Sequence, residues 1–163
     1  MLLRRVFIVP FGVVAALLLG SGSALAAGPP VVNETDHPVN QTQSFPSNDP
    51  CTGAPGTLTV TFSGVQHVTA FADGTAHFTD TLRGTLQFVS AEGTSTGTFV
   101  FWDGGNGQFD ANGNPVGSAE VTVTLNGSGT RPDGSAFRFH NNGHMVTDAA
   151  GILKVSFFKA QCN

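Results

Sequence analysis

The sequence predicts an all-β fold: an antiparallel β-barrel of six to eight strands joined as meander hairpins, with a strongly bent β-sandwich as the alternative. Three observations carry this expectation. From Thr57 onward apolar and polar residues alternate with period two, in stretches rich in Thr, Val and Phe, and no helical period competes. Four connections share one form, two turn residues and then Gly: Ala72-Asp73-Gly74, Ala91-Glu92-Gly93, Pro132-Asp133-Gly134 and Ala149-Ala150-Gly151. That form suits a three-residue hairpin loop, a type I turn with glycine in the left-handed position. The strands these turns bound are long, and long strands belong to barrels or strongly bent sandwiches.

The N-terminus reads as a secretory signal. Arg4 and Arg5 precede an apolar run from Val6 to Leu19, and Ala24-Leu25-Ala26 supplies a small-x-small cleavage pattern. The run is short for a membrane span and no stop-transfer charge follows it. Cleavage near Ala26 and secretion to the extracellular space are therefore expected. About 137 residues would remain, enough for one domain. The cleaved chain keeps five of seven basic residues against eleven carboxylates, a net charge of −6. That balance argues against nucleic acid and against an anionic membrane surface as partners.

Residues 27–56 are rich in Pro, Asn, Thr and Ser and read as an irregular lead segment, with the β-barrel domain spanning 57–163. Asn33, Asn40 and Asn126 head three-residue glycosylation patterns, which are short and common. Cys51 and Cys162 are the only cysteines, and in an exported chain one disulfide between them is the default. No ligand-type spacing surrounds either, so neither is expected to hold a metal.

Strands are expected at 57–71, 75–90, 94–103, 117–130, 135–147 and 152–161. In the first hairpin a three-residue loop sets Phe62 against Gly84 and Gln66 against Asp80. In the hairpin at Pro132 to Gly134 it sets Gly127 against Phe139 and Leu125 against Asn141. Both registers leave one face apolar and the other rich in Thr, as a half-buried sheet requires. A two-residue loop at 133–134 would set Val123 against His144, which spoils that separation. The same three-residue rule at 91–93 turns Val100 and Trp102 inward. It leaves Phe99 and Phe101 outward, where they would be covered by the lead segment, Phe45 included, or serve as an oligomer contact. Applied at 149–151 it pairs Asn141 with Lys159.

The run His140-Asn141-Asn142-Gly143-His144 draws attention first. On a strand, residues four apart lie ~13–14 Å from each other. Two imidazoles so placed do not share an ion at ~2.0–2.1 Å each. His67, His77, His140 and His144 are expected on the solvated face. The inward polar residues say more: Gln66, Asp80, Asn141, Lys159 and Trp102 form the expected ligand-binding lining, because polar groups on a core face must be paired or hydrated. The loop "DGGNGQFDANGNPVG" imitates the start of a calcium loop at Asp110, Asn112 and Asn114. It fails where Pro115 occupies the glycine position, and it reads as a flexible connection. No catalytic triad, phosphate loop or metal motif is present, and no cofactor is implied.

The secretory leader, the "NDPCTG" entrance, the Thr-rich hairpins and the terminal "KAQC" together resemble small secreted actinobacterial proteins of unassigned function. The layout is similar, in architecture only, to allene-oxide-cyclase or dirigent-type barrels and to lipocalins. Fold likeness does not assign activity. The expected function is non-catalytic binding of a small apolar or amphipathic ligand in the barrel lumen. Two alternatives are a lumenal cyclase or isomerase with Asp80 and Lys159 as titrating groups, and an adhesive or structural cell-surface protein.

Overall fold

A computed structural model describes residues 29–110 and 114–163. The expected signal and its cleavage site lie outside the described residues. Among the described residues there are eight strands: β1 (Val32–Asp36), β2 (Gln41–Asn48), β3 (Pro55–Ala70), β4 (Thr75–Ser90), β5 (Gly93–Phe109), β6 (Pro115–Thr130), β7 (Ala136–Thr147) and β8 (Leu153–Cys162). All neighbours pair antiparallel in one sheet, β3 to β8 in chain order. β1 and β2 share the free side of β3 in tandem: β2 lies along 55–62 and β1 along 66–70. The segment expected to be irregular is thus two edge strands. Alternating Thr and Gln in "QTQSF" give β2 its period, and the linker docks where the Gly64 N–H donates to the Pro38 carbonyl, 3.0 Å.

The sheet is not closed, because β8 pairs only with β7 and no strand joins it to β1 or β2. It is nevertheless rolled. Val60, Phe62, Leu82, Leu86, Phe99, Phe101, Phe137 and Phe139 form one buried cluster, with Phe45, Leu58, Val123 and Leu125 against it. The cluster runs across neighbouring strands from β3 to β7. β3 and β8 are five strands apart, ~24 Å on a flat sheet, so a covalent bond between the loop that enters β3 and the end of β8 requires the sheet to curl. A disulfide between Cys51 and Cys162, with Cα atoms 5.5 Å apart, ties the β2–β3 loop to the end of β8. It is compatible with an extracellular location. Beside it Arg131 bridges to Asp49 at 3.5 Å and lies over the Phe137 ring at 5.4 Å.

Three of the four expected loops have the three-residue form, with Gly74, Gly134 and Gly151 at φ 84°, 83° and 72°. The registers of β3 with β4 and of β6 with β7 follow the expected pairings. The turn at 91–93 differs. Ser90 pairs directly with Gly93, so the loop has two residues and β5 slips by one. A one-residue slip exchanges the faces of a whole strand. Phe99 and Phe101 are therefore core residues, 6% and 8% exposed, and do not form an outer oligomer contact. Val100 and Trp102 point outward. Phe45 packs against the buried cluster to which both belong.

Candidate functional site

Beyond the phenylalanine cluster the concave face turns polar. Gln66 on β3 pairs with Asp80 on β4, and Asp80 pairs with Asp103 on β5. The Gln66 Nε2 donates to Asp80 Oδ2 at 2.9 Å, and Asp80 is 5% exposed. Directly opposed residues on antiparallel strands hold their Cβ atoms ~4.5–5.5 Å apart, where two like charges repel. Burial, then the charge of Asp80, push the Asp103 carboxyl up to about 7, against the opposing effect of a backbone hydrogen bond from Asp80. Burial also raises Asp80, and the Gln66 hydrogen bond works against that rise. None of the ion pairs among the described residues involves either aspartate.

Two acceptors on this face lack donors. Asp103 Oδ1 and Asn141 Oδ1 are buried and make no hydrogen bond among the described residues. Asn141, 6% exposed, sits opposite Leu125 on β6 and Ala160 on β8. Buried carbonyl and carboxylate oxygens are almost always satisfied, so each orphan asks for a partner.

Of the expected lining, Gln66, Asp80 and Asn141 face inward as the registers required. Lys159 does not. The Asp148–Ile152 loop has the expected form, but a bulge between Val146 and Thr147 adds a residue to the pairing. Lys159 then opposes Asn142 and lies exposed on the outer face. Trp102 is excluded from the lining by the β5 slip, which brings Asp103 inward in its place. Asp103 was legible in principle: the two-residue loop at 91–92 sets Phe99 against Gly84 and puts Thr94, Thr96 and Thr98 on the outer face. That register joins Phe99 and Phe101 to the apolar face of β4 and the three threonines to its Thr-rich face, and turns Val100 and Trp102 outward with them.

The histidines stay outside. Thr124 donates to Asn142 Oδ1 at 3.1 Å, and the Asn142 amide approaches His140 Nε2 at 2.7 Å. His140 Nδ1 in turn meets Asn126 Oδ1. His144 contacts Thr122 at 3.0 Å and packs its ring 5.8 Å from Phe157. These are cross-strand surface ladders. Among the described residues no group of three His, Cys, Asp or Glu side chains is arranged to hold a metal ion. At the loop expected to be flexible, β5 and β6 run on to Phe109 and Pro115, and Asp110 Oδ1 accepts the Asn114 N–H at 2.8 Å. Asn112 lies outside the described residues.

Cavities among the described residues include two that stand apart from the acid pair. One of about 140 Å³ lies between the β2–β3 loop and the β6–β7 turn, lined by Asp49, Phe88, Ser95 and Arg131. A wider groove of about 630 Å³ crosses the outer face of β3 to β6. The chain matches no known protein family, and no curated protein or solved structure is significantly similar to it.

Proposed function

We propose that the protein binds a small amphipathic ligand on its concave face, with a protonated amine held by Asp80 and Asp103. The observation that carries this reading is the pair of facing carboxyls, Asp80 buried and Asp103 half-buried, with no ion pair to either among the described residues and with Asp103 Oδ1 lacking a donor. An ammonium group offers both the charge and the N–H donors that such a site lacks. The adjoining phenylalanine cluster suits the apolar part of the ligand. Titration calorimetry with octylamine and octanol tests the idea. Octylamine is expected to bind at pH 8, to weaken as pH falls through about 7, where Asp103 gains its proton, and to be lost in Asp103→Asn. Equal affinity for octanol, or unchanged binding in Asp103→Asn, would refute it.

A second reading rests on the same pair. With Asp103 near 7 and Asp80 facing it, a proton donor and a proton acceptor coexist close to neutrality, as isomerase-type proton transfer requires. It replaces the expected Asp80–Lys159 pair with Asp80–Asp103. It predicts that Asp80→Asn and Asp103→Asn abolish turnover while leaving substrate affinity within a fewfold.

A further inference from the structure

We infer that the outward face of β3 to β6 is a second binding site, distinct from the concave acid pair, and that it takes a neutral polysaccharide chain. The registers align hydroxyls into ranks across the strands. Thr42, Thr61, Thr85, Thr98 and Ser128 stand in one row from β2 to β6. Ser44, Thr59, Gln87, Thr96 and Thr130 stand in the next. Neighbours in a rank are ~4.8 Å apart, and successive ranks ~6.6–6.8 Å.

At the β2 edge these hydroxyls satisfy each other, Thr42 with Thr61 at 2.9 Å and Ser44 with Thr59 at 2.8 Å. Further in, the hydroxyls of Thr85, Thr96, Thr98 and Ser128 hydrogen-bond to no other described side chain, and all four line the 630 Å³ groove. Each offers one donor and two acceptor lone pairs. No ionisable side chain lines the groove. Arg83 and Arg138 border the first rank, but residues 27–163 carry five basic side chains against eleven carboxylates, a net charge of −6 that repels a polyanion at longer range. The ligand that matches a dense, neutral array of donors and acceptors is itself neutral and polyhydroxylated.

Trp102 extends the site. It lies on the same strand and face as Thr98, four residues or ~13–14 Å away, and is 40% exposed. Its indole lies down over Gly104: a Cβ there would come within 3.1 and 3.3 Å of ring atoms Cζ2 and Cη2. The six-membered ring is thus held against the strand at Gly104 while the side chain stays 40% exposed, which offers apolar ring surface to the C–H face of a sugar ring. The groove and Trp102 lie on one line along β5, so one extended chain reaches both.

Trp102 is the sole tryptophan and the chain has no tyrosine, so intrinsic fluorescence reports this position alone. A soluble neutral glucan is expected to shift Trp102 emission saturably, and a pectate of similar length is not. Affinity electrophoresis through gels containing the same glucan compares variants that keep the wild-type circular dichroism spectrum. Trp102→Ala is expected to weaken retardation roughly tenfold, and Thr98→Val by a few fold, the worth of about one hydrogen bond. Gly104→Ala, which lifts the indole, is expected to fall between them. Absence of any glucan effect, tighter binding of pectate, or wild-type retardation in both Trp102→Ala and Thr98→Val would overturn the inference. None of these outcomes depends on Asp80 or Asp103, so the two sites are tested separately.

Discussion

Because Asp103 titrates at about 7 in the folded protein, the native state holds a proton there that the unfolded chain gives up near its ordinary value of about 3.9. Between those values the folded state binds more protons than the unfolded one, so stability falls as pH rises and levels off above about 7. The accumulated penalty is on the order of a few kcal/mol. Asp103→Asn removes it. Thermal unfolding of the two proteins should therefore show a small gain for the variant at pH 5 and a larger one at pH 8. A gain that does not grow between those values would mean that Asp103 is not a buried, proton-holding carboxyl. Asp80 is raised for the same first reason, burial, but Gln66 offsets part of it. Asp80→Asn keeps a hydrogen-bond partner for Gln66, whereas Asp80→Leu strands the amide.

The strands show how far local pattern reaches. The registers of β3 with β4 and of β6 with β7 were legible because an Asp-Gly turn and an unambiguous division of faces agreed. Phe139 lies over Gly127, where an added Cβ would come within 2.2 Å of ring atom Cζ. Gly127→Val should thus overpack the core and cost ~1–3 kcal/mol, read as a lower denaturant midpoint. At 91–93 turn composition alone favours a three-residue loop, whereas the chain forms a two-residue one and turns Asp103 inward. The bulge at Val146 was not legible, since nothing in "MVTD" marks it, and it removed Lys159 from the concave face. β1 and β2 were hidden for another reason. Edge strands of polar residues carry no hydrophobic alternation, and pairing to β3 is what makes them strands.

At the scale of the molecule, an open sheet has been rolled into a core without a closing ladder. The interior phenylalanines, the Asp49–Arg131 contact and the disulfide supply the closure that hydrogen bonds between β8 and the first strands do not. The bridge joins residues 111 apart, and in the chain-entropy description such a loop contributes up to ~4–5 kcal/mol by restricting the unfolded state. Cys51→Ser with Cys162→Ser should lower the unfolding midpoint accordingly, and a loss below ~1 kcal/mol would assign closure to the core alone. The same bond has a topological consequence. Residues 51–162 form a covalent ring that encloses β3 to β8 and the five turns between them, while β1 and β2 hang outside it. A protease that cuts once at any of those turns opens the ring but releases nothing. The nicked protein gains one water in mass, runs as a single species, and parts into two pieces only when a reductant is added.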